Sequence, residues 1–132
     1  MVPTLGNGDQ LLLSNLDYHP EVGDIVAIRR ENGAPLIKRV IALEGDTLYI
    51  DSASGKVYRN GKVMNEPYIV GKTPSAHMVG EITVPKGKLF VMGDNRENSH
   101  DSRYADIGPV AVEDVMGEAV WRILPFSRFG DI

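Results

Sequence analysis

The chain has no cysteine, so neither a disulfide nor a thiolate metal site is open to it. Histidine is scarce. His19, His77 and His100 lie far apart, which argues against a histidine-rich metal centre, and neither a metal nor another cofactor is expected. Positive charge is not in excess: 14 Lys and Arg stand against 18 Asp and Glu, a net charge of -4. That balance gives no electrostatic footprint for nucleic acid. No apolar run approaches the roughly 18 residues needed to cross a membrane as a helix. The first residues, Met1-Val2-Pro3-Thr4-Leu5, have neither the basic start nor the apolar stretch of a secretory leader.

What is abundant is punctuation. With 14 Gly and 8 Pro in 132 residues, short apolar runs are broken again and again by turn residues. The length suits one domain able to bury its own core. Strands are expected over Gln10 to Leu16, Asp24 to Arg30, Leu36 to Leu43 and Thr47 to Ile50. Lys56 to Arg59 and Lys62 to Met64 flank Asn60-Gly61, the strongest short hairpin signal, because both turn residues tolerate positive φ. Further strands are expected over Glu81 to Val84, Lys88 to Met92 and Glu118 to Leu124, with one helical turn over Val112 to Met116 stopped by Gly117. Met1 to Gly8 reads as an extended lead-in and Glu66 to Gly80 as a loop with little periodicity. The expected fold is all-β, mostly antiparallel, a sandwich or barrel in type.

The densest cluster of functional groups follows the apolar run Leu89-Phe90-Val91-Met92. It is Gly93-Asp94-Asn95-Arg96-Glu97-Asn98-Ser99-His100-Asp101-Ser102-Arg103. Asp and Asn side chains can bond nearby backbone N–H groups and fix a loop in one shape. Arg96 and Arg103 can pair with Asp94 and Asp101. A solvated, well-bonded loop would show the same composition. Lys38 stands inside the apolar strand Leu36-Ile37-Lys38-Arg39-Val40-Ile41. Alternation puts Leu36, Lys38 and Val40 on one face, Ile37, Arg39 and Ile41 on the other. Such a lysine either snorkels to solvent or is held in a dry site. Burial would lower its pKa and make it a usable general base.

Taken together and in this order, these stretches resemble the bacterial type I signal peptidases, the serine/lysine peptidases that remove signal peptides. That family carries its nucleophile in a Ser-Met-x-Pro-Thr-Leu motif, which Met1 to Leu5 match from its second residue. Its Gly-Asp-Ile-Val strand is matched by Gly23-Asp24-Ile25-Val26. Its Lys-Arg strand and following Gly-Asp turn are matched by Lys38-Arg39-Val40-Ile41 and Gly45-Asp46. Its Gly-Asp-Asn-Arg-x-Asn-Ser-x-Asp-Ser-Arg motif is matched without exception by Gly93 to Arg103. The resemblance runs over essentially the whole chain. In the turn after Lys38, Ala42 replaces the family's usual glycine and Glu44 its usual proline, a change in a turn rather than in the chemistry.

The resemblance implies a signal-peptidase-like β core over residues 1–132, with a small β extension inserted around 51–80. It implies a serine endopeptidase that cleaves signal peptides from exported preproteins by a Ser/Lys dyad. Lys38 is implied to be the general base and Ser99 the serine that orients it. Asp101 with Arg103, and Asp94 with Arg96, are implied to brace the site. Met1, Leu5, Leu36 and Ile37 are implied to wall the groove in which the signal peptide lies extended. The full-length protein would work at the membrane surface, on the extracytoplasmic face of the bacterial cytoplasmic membrane. The nucleophile's position falls before Met1, and Ser14, Ser52, Ser54, Ser75, Ser99, Ser102 and Ser127 lie outside its motif. The 132 residues by themselves are therefore expected to fold, to leave Met1 to Leu5 loosely held, and not to hydrolyse peptides. Two other readings fit the residues: a self-cleaving repressor-type Ser/Lys domain, and a non-catalytic β module that binds extended peptides.

Overall fold

A computed structural model describes residues 1–14, 18–128 and 130–132. Eleven strands form two sheets among these residues. The first contains β1 (Gln10–Ser14), β2 (Ile25–Ile28), β3 (Leu36–Ala42), β8 (Lys88–Met92), β9 (Val110–Ala111), β10 (Val115–Leu124) and β11 (Gly130–Asp131). Its order is β1-β10-β2-β3-β8-β9, with β11 also paired to β10. The second contains β4 (Thr47–Asp51), β5 (Lys56–Arg59), β6 (Lys62–Val63) and β7 (Ile82–Thr83), in the order β6-β5-β4-β7. Every pairing is antiparallel. The fold is all-β, as the turn-broken apolar runs predict.

Strands β3 and β8 are buried on both faces, and their alternation feeds two apolar clusters. Val40, Leu89 and Val91 join Val26 and Ile28 in one. Ile41, Ala42, Phe90 and Met92 meet Leu48, Ile50 and Val57 of the second sheet in the other. Each such side chain contributes about 1.5–3 kcal/mol on burial, so β3 and β8 are the rigid centre. A third, smaller cluster joins Leu5, Ile25 and Ala119. Burial along β3 begins only at Arg39, so Lys38 stands at the rim of the packed interior.

The turn between β5 and β6 is built as its sequence demands, with Asn60 at φ 52° and Gly61 at φ 79°. Asp46, at the end of the turn after β3, accepts from Leu43 N at 2.9 Å, Arg59 Nε at 2.8 Å and Asn60 Nδ2 at 3.0 Å. One carboxylate thus ties the hairpin to the exit of the Lys38 strand.

Several expectations are corrected. Residues 1–8 are not extended but turn, with Leu5 N donating to Met1 O at 3.0 Å and Asp9 receiving Gly6 N at 3.0 Å. The segment is also not loosely held. The Thr4 carbonyl accepts from Arg122 and from Arg128, the latter at 3.1 Å, and Leu5 is buried. The helical turn at Val112 is a 3₁₀ turn of only Val112–Asp114, and Gly117 does not end it: β10 starts at Val115 and runs through that glycine. Pairing to β2 recruits Val115 and Met116 into the sheet. Two more 3₁₀ turns occur, Arg96–Asn98 and Phe126–Arg128. Asn15 and Leu16 of the first expected strand, and Asp17 after it, lie outside the described residues.

Candidate active site

Lys38 and Ser99 meet, although 61 positions separate them: Lys38 Nζ donates to Ser99 Oγ at 2.8 Å. Gly93 makes the contact possible. A Cβ on Gly93 would fall 2.2 Å from Ser99 Oγ and 2.7 Å from Ser99 Cβ, and 3.5 Å from Lys38 Nζ. No side chain fits there without pushing Ser99 away. Burial holds the Lys38 pKa below the ordinary lysine value; the Asp101 charge opposes the shift, and Arg103 and Arg30 assist it. Because Arg103 neutralises Asp101 at contact, Lys38 does not feel the full field of a lone carboxylate.

Asp101 and Arg103 form the expected pair, both side chains fully enclosed, with Nε to Oδ1 at 2.8 Å and Nη2 to Oδ2 at 2.9 Å. Asp101 also accepts the backbone N–H of Gly93 at 3.0 Å and of Arg103 at 3.2 Å. Burial alone would raise the Asp101 pKa. The hydrogen bonds and charge of Arg103, with bonds from Gly93 N–H and the Ser99 hydroxyl, outweigh it and hold the pKa below the ordinary value. Ser99 presents its hydroxyl oxygen to Lys38. Arg103 spends its remaining N–H groups on the carbonyls of Pro74, Arg96 and Ser99, at 3.0, 2.9 and 3.2 Å. The loop from Gly93 to Arg103 is closed on itself.

Arg96 does not pair with Asp94, contrary to the local pairing expected from the sequence. Its partner is Glu66, with Nη2 to Oε2 at 2.5 Å and Nη1 to Oε1 at 3.2 Å, and it also donates to Thr73 Oγ1 and to Gly93 O. Asp94 instead takes a two-pronged contact from Arg39, 2.9 and 2.7 Å long, and accepts the Thr4 hydroxyl. The physical reason is direction: the 3₁₀ turn at Arg96–Asn98 carries Arg96 toward the second sheet while Asp94 faces β3. Sequence reasoning missed Arg39, Glu66 and Tyr68. Tyr68 lies flat under Arg39, 3.8 Å from guanidinium carbon to ring centroid, and its hydroxyl donates to Glu66 at 3.3 Å. Alternation had placed Arg39 facing away from Lys38, which was the available signal that it serves a second buried face. Among the described residues every buried side-chain nitrogen and oxygen has a hydrogen-bond partner.

Of the four expected groove residues, Met1, Leu5 and Ile37 line one shallow pocket with Leu11. Leu36, pointing the other way along β3, lines a separate depression with Ile28, His100 and Val110. The α-amino group of Met1 shares the Lys38 neighbourhood: burial first, then the Lys38 charge, lower its pKa, and Asp94 opposes them.

The family described as "Signal peptidase, peptidase S26" matches residues 1–124. The chain is 38% identical over 144 aligned positions to "Probable signal peptidase I-1" of Synechocystis sp., covering 100% of this chain and 70% of that protein. It is 33% identical to "Thylakoidal processing peptidase 1, chloroplastic" of Arabidopsis thaliana, covering 99% of this chain but only 41% of that protein. Among solved structures, a signal peptidase I from Enterococcus faecalis superimposes with a TM-score of 0.64 at 32% identity, covering 78% of this chain and 98% of that one. Motif, fold and relatives agree, and the chain belongs to the signal peptidase family, peptidase S26.

Proposed function

We propose that these residues form the general-base half of a Ser/Lys endopeptidase that cleaves signal peptides from exported preproteins. The observation that carries this reading is the half-buried Lys38 Nζ bonded at 2.8 Å to Ser99, with the Lys38 charge also felt at the Met1 nitrogen. The nucleophile is a serine joined to that nitrogen. Its hydroxyl is a weak nucleophile alone and needs an adjacent base, and a desolvated neutral lysine can serve in place of histidine. Lys38 takes the serine proton as the serine oxygen attacks the scissile carbonyl. It then passes that proton to the departing amine, and an acyl-serine remains. In the second half Lys38 takes a proton from water, which attacks the acyl carbon and returns the serine.

Ser99 accepts one N–H of Lys38 and so does not occupy the lysine lone pair. The lone pair is left for the nucleophile. Asp101 with Arg103, and Asp94 and Arg96 each with its long-range partner, hold this geometry. Met1, Leu5 and Ile37 wall a shallow groove for an extended peptide, suited to small side chains at alternating positions, and Leu36 opens on a separate depression. The chain reads as one peptidase domain with a β extension over residues 51–80. It acts at the membrane surface on the extracytoplasmic face, and among the described residues no helix is long and apolar enough to cross a membrane.

The test compares a chain beginning at Met1 with one extended by a serine and the groove residues before it. The substrate is a peptide with small residues at alternating positions before the cut. The extended chain is expected to cleave and the shorter one not. Lys38→Ala in the extended chain is expected to lose at least about 10²–10⁴ in rate. Lys38-dependent cleavage by the shorter chain would show the nucleophile to be misassigned, and cleavage by folded Lys38→Ala would remove the lysine from the mechanism.

A further inference from the structure

The loop from Glu66 to Thr73 leaves the second sheet and meets both buried arginines that flank the Gly93 turn. Glu66 holds Arg96, whose side chain is fully enclosed while the Glu66 carboxylate is only 5% exposed. Arg96 Nε in turn donates to Gly93 O at 2.9 Å. Tyr68 supports Arg39 from below and donates to Glu66. Arg39 grips Asp94, and Asp94 receives the Thr4 hydroxyl. Thr73 N donates to Gly55 O at 3.1 Å, which pins the loop to the extension hairpin. A continuous, largely buried chain thus runs from the extension to the two places that must be held against Lys38: Gly93, which seats Ser99, and Thr4, three residues after Met1, the nucleophile's attachment point.

We infer that Glu66 and Tyr68 are positioning residues, through which the β extension sets the distance between the nucleophile-bearing segment and Lys38. This rests on the Ser/Lys reading above. The alternative is a loop that merely packs. The two differ in what moves. Arg39 has a second anchor in Gly23 O, at 2.9 Å, so loss of the Tyr68 ring leaves it bonded but free to swing with Asp94 and Thr4. The fold survives while the first five residues shift and water reaches Lys38. Asp101, Arg103 and Arg30, whose charges act on Lys38, remain in place, while the Met1 amino group moves off with the first residues. Rehydration, and in the unextended chain the loss of that neighbouring amine, both move the lysine pKa upward. Burial and the Glu66 charge push the Tyr68 hydroxyl up to about 12, so it stays a donor throughout the working range.

The experiment has two arms. In the chain as it stands, exchange of the Arg39 and Arg96 Nε–H protons and the titration of Lys38 Nζ are followed by NMR. In the serine-extended chain, kcat, KM and the acid limb of the pH profile are measured. Tyr68→Leu is expected to speed exchange at both arginines about 10-fold or more. It should lower kcat by about 10–10²-fold, the scale of an ångström-sized misplacement, with KM little changed and the acid limb moved to higher pH. Tyr68→Phe, which keeps the ring, should stay within about twofold of the starting protein. Glu66→Asp, which keeps the charge on a shorter arm, should show the same shifts as Tyr68→Leu in milder form, and it carries the test if Tyr68→Leu fails to fold. Tyr49→Leu, on the exposed face of the second sheet, is the neutral control. If Lys38→Ala is dead while Tyr68→Leu and Glu66→Asp keep exchange, kcat and acid limb unchanged, the positioning role is wrong and the Ser/Lys reading stands. If Lys38→Ala keeps its activity, the Ser/Lys reading itself fails.

Discussion

Two braces hold the Gly93 loop in different ways. In the first, Asp101 and Arg103 are two positions apart, and Arg103 reaches back seven positions to Arg96 O and 29 to Pro74 O. In the second, Asp94 takes Arg39 across 55 positions and Thr4 across 90, and Arg96 takes Glu66 across 30. The first brace lies mostly within one loop, closed at small entropic cost. The second exists only when both sheets and the first residues are docked. Both hold buried charge, so neither need add net stability, but removing one partner of either leaves an unpaired ion indoors.

The largest effect is expected from Asp101→Ala. It strips Arg103 of a fully enclosed partner and leaves the Gly93 N–H without an acceptor. A loss of about 3–5 kcal/mol is expected, read from chemical denaturation. Asp94→Ala should cost less, about 1.5–3 kcal/mol, because Arg39 keeps Gly23 O and the Tyr68 face. Equal losses would mean that the two braces are one cooperative unit. Gly93→Ala attacks the pivot itself. Overpacking of about 1–3 kcal/mol is expected, together with loss of the Lys38–Ser99 bond, visible as a Lys38 titration that no longer responds to Ser99→Ala.

The smallest change has the opposite sign. Lys38 is lowered in the folded state, so between that depressed pKa and the ordinary lysine value of 10.5 the unfolded chain binds more protons. Stability therefore rises with pH through that window and is lower below it. Lys38→Met should raise the melting temperature at pH 7, and the advantage should shrink as pH approaches 10.5. A melting difference that stays constant with pH would show the lysine to be solvated.

The contrast between the braces also explains how much was legible in the sequence. The strands were, because β3 and β8 are apolar runs bounded by turn residues and Asn60-Gly61 dictates its turn. The Asp101–Arg103 pair was, because two residues of opposite charge so close together in a bonded loop have few other partners. Lys38 and Ser99 were linked only through family resemblance, since nothing local says which of seven serines a lysine will meet. The Arg96 pairing was misread for the same reason. Asp94 was the nearest aspartate in sequence, whereas Glu66 came within reach only through sheet docking. Tyr68 gave no local signal, lying in a stretch without periodicity. The Met1 to Leu5 segment was expected to be loose because Arg122 and Arg128, which hold its Thr4 carbonyl, stand more than a hundred positions away.

The placement of β10 between β1 and β2 has a consequence for when the site can exist. Strand β1 joins the rest of its sheet only through β10, which ends at Leu124, and the first residues are fastened by Arg122. Before β10 docks, the Thr4 carbonyl has no Arg122 to accept from and β1 has no partner strand among the described residues. Contacts of such separation are made late and slowly. The proposed site around Lys38 is therefore among the last parts of this fold to be completed, and a fragment ending before Val115 does not carry it whole.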